Sequence, residues 1–69
     1  METRYIVDGM TCQHCVSHVT EEVSAIEGVD HVNVDLESGQ MVVTSQSPIS
    51  LGLIEDAVDE AGDYSVTTA

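Results

Sequence analysis

The segment 9–15, with the sequence GMTCQHC, constrains this chain more than any other stretch because it holds both of its cysteines. Cys12 and Cys15 are three positions apart, and an apolar series at helical spacing follows them. A polar residue directly before such a series is typical of a helix start. We therefore expect the second thiol in the first turn of a helix, where free backbone N–H groups and the positive end of the helix dipole favour an anion. Helix N-termini and CxxC spacing both lower the pKa of a thiol, so this segment offers two easily ionised soft ligands.

The apolar pattern predicts six elements in the order β-α-β-β-α-β. The predicted strands are 4–7, 31–36, 41–44 and 64–67, and the predicted helices are 13–26 and 51–61. Two βαβ halves of this kind form a ferredoxin-like α+β sandwich, in which a four-stranded antiparallel sheet carries both helices on one face. A chain of 69 residues is expected to be a single domain, 1–69. The helix residues expected to face the core are Val16, Val19, Val23, Ile26, Leu51, Ile54, Val58 and Ala61.

The charge balance limits the classes of partner. One arginine and no lysine stand against thirteen acidic residues, and the formal net charge is −12. Nucleic-acid binding depends on basic residues that neutralise phosphates, so this class is excluded, and anionic membranes are disfavoured for the same reason. The acidic surface fits either simple solubility or a high-salt cytoplasm, and the sequence leaves both open.

The cellular location is predicted from the apolar runs, the N-terminal residues and the spacing of the cysteines. No apolar run approaches the roughly 18 residues of a membrane-spanning helix, so we expect no membrane insertion. The first residues, METRYI, do not have the basic start and apolar region of a signal peptide. Two cysteines three positions apart are not a disulfide framework, which favours a reducing, cytoplasmic environment.

The motif and the element order together resemble the heavy-metal-associated domain. With His14 inside the motif, the stretch Gly9–Val16 is similar to that of bacterial copper chaperones. The similarity extends to the turns at 27–29 and 37–39 and to Ala61–Gly62. The resemblance implies a non-enzymatic carrier of Cu(I) whose acceptor is the metal-binding region of a copper-transporting P-type ATPase. It also implies a copper-sensing repressor as a further partner, a monomer without metal, and a homodimer bridged by copper.

The donor types favour copper over zinc. Two thiolates, from Cys12 and Cys15, satisfy a soft d¹⁰ ion such as Cu(I), whereas Zn²⁺ prefers four ligands. Zinc-handling relatives carry Asp directly before the first cysteine, where this chain has Thr11. Met10 is a conceivable thioether ligand. The resemblance instead implies that Met10 folds back into the core and anchors the loop.

His14 has two open interpretations. It either tunes the dithiol, by adjusting a thiol pKa or capping the metal in a copper-linked dimer, or it points to solvent. His14 and His18 are also neighbours at i and i+4 that could share a metal ion. Glu22 lies four residues beyond His18, so a solvated pair is the favoured interpretation of these residues.

Tyr64 is expected near the cysteines. In a ferredoxin-like fold the loop after the first strand and the loop before the last strand lie at the same end. The resemblance implies a tyrosine here that shields the bound metal. The chain departs from the commoner Gly-Tyr order because Asp63 separates Gly62 from Tyr64, and this acid could displace the ring. The alternative is that Tyr64 only covers the edge of the core.

Three other functions share these residues. A mercury carrier would use the same two thiolates, and an N-terminal domain excised from a copper ATPase would have the same motif. The chain's own Met1 and its end at Ala69 favour a free chaperone. A thioredoxin-like oxidoreductase also places CxxC at a helix N-terminus. It is least favoured, because the chain is short and has no Trp before the motif and no Pro inside it.

Overall fold

Six elements follow one another in the predicted order, in a computed structural model that describes residues 1–69. They are β1 (Glu2–Asp8), α1 (Gln13–Ser24), β2 (Val29–Val34), β3 (Gln40–Ser45), α2 (Leu51–Ala61) and β4 (Ser65–Thr68). The strands form one sheet in the order β2-β3-β1-β4, and every neighbouring pair is antiparallel. This arrangement is the ferredoxin-like α+β sandwich that the sequence predicts. Neither helix has the length and apolar character needed to cross a membrane.

The core lies between one face of the sheet and both helices. Side chains alternate across a strand, so β1 directs Tyr5 and Val7 to this face while Arg4 lies on the other. Val19 and Val23 of α1 join the same cluster. The eleven residues of this cluster are Tyr5, Val7, Val19, Val23, Val32, Met41, Val43, Ile54, Ala57, Val58 and Val66.

The hairpin between β2 and β3 is held by Gly39. Its backbone N–H donates to the carbonyl oxygen of Asp35 at 2.8 Å, and its own carbonyl accepts from Val7 N–H at 2.8 Å. Gly39 has φ of 75°, and a Cβ there would lie 2.8 Å from the carbonyl oxygen of Val7. Only glycine combines this conformation with so close a backbone approach. The turn therefore begins after Val34, which makes β2 end two residues before the predicted Leu36.

Several element bounds differ from the prediction: α1 ends at Ser24 and not at Ile26, and β4 begins at Ser65 and not at Tyr64, whereas α2 has the predicted bounds. β2 begins at Val29 and not at His31, because a register shift between these residues accommodates Asp30 within the pairing with β3. β1 begins at Glu2, whose partner in β3 is Thr44. Apolar alternation does not detect such polar strand ends, although their backbone groups pair as well as those of apolar residues.

The prediction that Leu51 faces the core is wrong. Its side chain is 39% exposed, and Ile49 instead packs against the core cluster. Ile49 directly precedes the N-cap Ser50, the position at which an apolar residue commonly covers the first turn of a helix. Ala57, which the prediction omitted, is buried in the same cluster.

Candidate metal centre

The two cysteines lie where the loop after β1 enters α1. Cys12 is the N-cap of α1 and is exposed, and Cys15 is partly buried in the first turn. Both are free thiols, with their Sγ atoms 3.5 Å apart. The backbone N–H groups of Cys15 and Val16 donate to the carbonyl oxygen of Cys12 at 3.1 and 3.4 Å. These bonds fix the turn so that both sulfurs lie at the same helix end, at a separation suited to converging on one ion.

The N-terminus of α1 has no side-chain cap. Cys12 has an extended backbone, with φ of −156° and ψ of 168°, but its side chain makes no capping hydrogen bond. The N–H groups of a first helical turn have no partner within the helix, and they carry the positive end of the helix dipole. Sulfur therefore lies where a capping oxygen would otherwise be. As a metal ligand, sulfur is softer than oxygen and is exchanged more readily.

The pKa of the Cys15 thiol is lowered from an ordinary value of 9.0 to about 6. The largest cause is the nearby Tyr64 side chain, followed by the backbone of Thr11 and the side chain of Cys12, all of which favour the thiolate. The same contact raises the pKa of Tyr64, since the hydroxyl keeps its proton to share with the sulfur. Cys15 is consequently mainly a thiolate at neutral pH, which is the form that binds metals.

Tyr64 is brought to the dithiol by two glycines. A Cβ at Gly9 would lie 3.0 Å from Cδ1 of the Tyr64 ring, and a Cβ at Gly62 would lie 2.7 Å from Cε2. Gly9 also has φ of 106°, a conformation that favours glycine. Asp63 is exposed and does not displace the ring from the cysteines. The ring fits over the loop because neither glycine presents a side chain to it.

The roles of Gly9 and Gly62 were missed in the sequence. In the sequence Gly9 belongs to the cysteine motif and Gly62 precedes Asp63, and neither is expected to contact the Tyr64 ring. A glycine two residues before an aromatic residue in a loop is a signal for such a close approach, but it is a weak one without the fold.

Met10 and Thr11 flank the thiols on the loop side. Met10 is half-buried and packs against the core cluster, so its side chain ties the loop to the domain. Thr11 is exposed, and its Oγ1 lies 3.9 Å from the Sγ of Cys15. The backbone and the hydroxyl of Thr11 both lower the pKa of that thiol.

His14 is not gathered with the two cysteines into a group that could hold a metal ion. Its ring lies beside that of His18, with centroids 4.7 Å apart and planes at 57°. No group of three or more His, Cys, Asp or Glu side chains in the molecule is placed to hold a metal ion together. The candidate centre therefore consists of two thiols, with Tyr64, Thr11 and Met10 around them.

Comparison with known proteins places this arrangement in a family. The model of the heavy-metal-associated domain matches residues 4–63. The COP-associated protein of Helicobacter felis is 43% identical over 81% of this chain and 85% of its own length. The copper chaperone CopZ of Bacillus subtilis is 40% identical over 81% of this chain and 83% of its own length.

Mercury-related proteins are also similar. The mercuric reductase of Shewanella putrefaciens is 36% identical over 81% of this chain, but the match covers only 10% of the reductase. The structure of oxidised MerP from Ralstonia metallidurans superposes with a TM-score of 0.85 at 33% identity, covering 99% of this chain and 94% of MerP.

Other solved structures share the fold. A CopZ metallochaperone superposes with a TM-score of 0.86 at 34% identity, covering 97% of this chain and all of that chain. A copper binding domain from a P-type ATPase has a TM-score of 0.87 at 23% identity over 99% of this chain and 92% of its own, a likeness of fold alone. From the match of the family model and the identity to these relatives, the chain belongs to the heavy-metal-associated domain family.

Proposed function

We propose that this protein is a cytoplasmic copper chaperone that binds Cu(I) between Cys12 and Cys15. The observation that carries the proposal is the pair of accessible thiols 3.5 Å apart, one of which has a pKa of about 6. Soft thiolates select Cu(I), and a centre of two such donors does not supply the four ligands typical of a structural zinc site. The similarity to the copper chaperone CopZ of Bacillus subtilis supports the same cargo.

We infer that the protein carries the ion and does not catalyse a reaction. A Cu(I) ion held by two exposed sulfurs can accept a third thiolate from a partner before either original bond breaks. One of the original thiolates then leaves, and the partner's second thiolate displaces the other, so that the ion ends on the two sulfurs of the partner. The Tyr64 side chain is the largest cause of the lowered pKa of Cys15, so it favours the anionic form of that sulfur both before loading and after release.

The acceptor in this proposal is the metal-binding domain of a copper-transporting P-type ATPase. Such a domain has the same fold, so it can present its own metal site on the same kind of exposed loop. A copper-sensing repressor as a second acceptor and a homodimer bridged by copper remain predictions from the sequence. So does the interpretation of the chain as a free chaperone that forms a single domain.

The test is an anaerobic competition titration under reducing conditions against calibrated chelators for Cu(I) and Zn²⁺. We expect one Cu(I) per chain and a preference for Cu(I) over Zn²⁺ of several orders of magnitude. The Thr11→Asp variant should gain zinc affinity more than it changes copper affinity, since it adds an oxygen donor beside the thiolates. Equal affinities of the unaltered protein for zinc and copper would contradict the proposal.

A mercury carrier is the second candidate, favoured by the similarity to MerP and to part of a mercuric reductase. Hg²⁺ also accepts two thiolates, so the two functions share Cys12 and Cys15. Affinity does not separate them, because most dithiols bind Hg²⁺ tightly. Transfer does: the chaperone should pass Cu(I) to a purified ATPase metal-binding domain within the mixing time. Rapid transfer of Hg²⁺ to a reductase combined with no transfer of Cu(I) would favour the mercury carrier.

A further inference from the structure

His14 and His18 form a pair on the exposed side of α1, away from the dithiol. They lie one helical turn apart, at i and i+4, and both are exposed. Their ring centroids are 4.7 Å apart and their planes are inclined by 57°. His14 does not gather with Cys12 and Cys15 into a three-residue cluster. The proposed copper transport leaves this pair without a role.

The separation of the rings matches that of two imidazoles on one metal ion. An ion bound to an imidazole nitrogen at about 2.0–2.1 Å lies about 3.2 Å from the centroid of that ring. Two imidazoles at a right angle around the ion then have centroids about 4.5 Å apart, and two at a tetrahedral angle have centroids about 5.2 Å apart. The observed separation of 4.7 Å falls between these values. Since χ2 of histidine is a broad torsion, each ring can turn a nitrogen toward the common point at little cost.

The surroundings of the pair favour a cation. His18 lines a groove between α1 and α2 together with Glu21, Glu22 and Glu60. Neither helix contains a lysine or an arginine. The single arginine, Arg4, is in β1 and lies 3.8 Å from Glu2. The negative potential beside the histidines is therefore not offset by a nearby basic side chain.

We propose that His14 and His18 form a second metal site, which takes a divalent late first-row ion of the class Cu²⁺, Ni²⁺ or Zn²⁺. Imidazole is a preferred donor for this class, and Cu²⁺ binds most tightly of the series to a given set of nitrogen donors. One nitrogen from each ring occupies two adjacent positions around the ion, and water fills the others. The site is independent of the dithiol in its residues, its preferred ion and its place on the helix.

The experiment uses Cu²⁺ and the full chain with Cys12→Ser and Cys15→Ser, because free thiols would reduce or capture this ion. Calorimetry gives the stoichiometry and affinity, and electron paramagnetic resonance counts the nitrogen ligands. We expect one Cu²⁺ per chain with two nitrogens. His14→Gln and His18→Gln should each weaken binding by at least about tenfold, since the second donor no longer acts at high effective concentration.

His31 provides the matched control, because it is the third histidine and is exposed in β2, outside the pair. His31→Gln should leave the affinity for Cu²⁺ unchanged. The proposal is overturned if His14→Gln and His18→Gln bind Cu²⁺ like the parent, or if His31→Gln loses as much as they do. If the chain without cysteines is unfolded by circular dichroism, the folded protein is alkylated at both thiols with iodoacetamide and the titration is repeated with the same three histidine variants. The same two outcomes then decide.

Discussion

The two helices begin with the same pattern of backbone hydrogen bonds but with different side chains at the N-cap. In each, the carbonyl of the N-cap residue, Cys12 or Ser50, accepts two backbone hydrogen bonds from the first turn. At α2 the Ser50 hydroxyl also accepts from Leu53 N–H at 3.4 Å. At α1 the Cys12 side chain makes no such bond. The N-terminus of α2 is thus capped by a side chain of the protein, and the N-terminus of α1 is left open for a ligand.

This difference separates a structural helix start from a functional one. A capping oxygen is worth about 1 kcal/mol to a helix. A sulfur in the same place forgoes part of that stabilisation and gains a soft ligand at the positive end of the helix dipole. The loop of α1 compensates through contacts elsewhere, with Met10 against the core and Tyr64 over Gly9 and Gly62.

Replacing both thiols should have the largest effect. The variant with Cys12→Ser and Cys15→Ser should lose Cu(I) affinity by several orders of magnitude, because oxygen is a poor ligand for a soft ion. Circular dichroism should show a folded domain, since neither cysteine belongs to the core cluster. The matched control, Ser50→Cys at α2, should not create a copper site because no second thiol lies nearby. An unfolded variant would mean that the cysteines are structural.

Tyr64→Phe should have the next largest effect, on the pKa of Cys15. Loss of the phenol hydroxyl removes the largest cause of the lowered pKa, so the pKa should rise from about 6 toward 9.0. The rate of alkylation by iodoacetamide, measured across pH in a Cys12→Ser background with and without Tyr64→Phe, reports the change in this pKa. At pH 7 the thiolate fraction falls from about 90% for a pKa of 6 to about 50% for a pKa of 7 and about 1% for a pKa of 9. Tyr5→Phe is the control, because it deletes the other tyrosine hydroxyl of the chain within the core.

The direction of the pH dependence of stability follows from the same group. The pKa of Cys15 in the folded protein is below its ordinary value, so the thiolate stabilises the fold most above pH 9.0. This contribution is lost as the pH falls through about 6, and it should be smaller in Tyr64→Phe. Equal alkylation profiles for Tyr64→Phe and its parent would mean that the hydroxyl does not reach the sulfur.

The fold could be predicted from the sequence more completely than the contacts at the metal centre. Apolar periodicity located all six elements, and the CxxC motif located the helix start. Leu51 was misplaced because helical spacing alone does not show that Ile49, before the N-cap, covers the end of the core. At the site, the position of Tyr64 followed from the topology. Its fit over Gly9 and Gly62 depends on close approaches in the folded chain, since a Cβ at these glycines would lie 3.0 and 2.7 Å from the ring. The turn of His14 toward His18 is a choice between rotamers, and spacing does not determine it.

Gly62→Ala tests whether the missing side chain positions Tyr64. The new Cβ would lie 2.7 Å from the Tyr64 ring, so the ring must move. We expect the pKa of Cys15 to rise in the same direction as in Tyr64→Phe, by an equal or smaller amount. The double variant Gly62→Ala with Tyr64→Phe should show no further rise, because both changes remove one interaction. Gly52→Ala is the control, since a Cβ there meets no atom within 4 Å. Additive effects on the pKa would contradict this positioning role.

Ser50→Ala should lower the free energy of unfolding by about 1 kcal/mol, the usual value of an N-cap hydroxyl. The hydroxyl accepts from Leu53 N–H, which would otherwise have no side-chain partner. Urea denaturation measures the change, and the affinity for Cu(I) should stay constant because α2 begins away from the dithiol. Ser50→Thr is the control, since it keeps a capping hydroxyl. A loss of stability in Ser50→Thr as large as in Ser50→Ala would mean that the hydroxyl is not the source of the effect.

Cys12→Ser should have the smallest effect on stability. In contrast to Ser50→Ala, it should raise the free energy of unfolding. Cys12 already has the extended backbone of an N-cap, so a serine hydroxyl there can accept from an N–H of the first turn of α1 without rearrangement. We expect a gain of about 0.5 kcal/mol in the free energy of unfolding, because the exposed loop fixes the new hydroxyl less firmly than α2 fixes Ser50. Cu(I) affinity should fall at the same time, since one of two thiolates is lost.

Cys12→Ala serves as the control, because it removes the sulfur without adding an oxygen. Urea denaturation of both variants without metal isolates the contribution of the cap. If Cys12→Ser is no more stable than Cys12→Ala, the first turn of α1 cannot use a cap, and the contrast between the two helix starts has another cause.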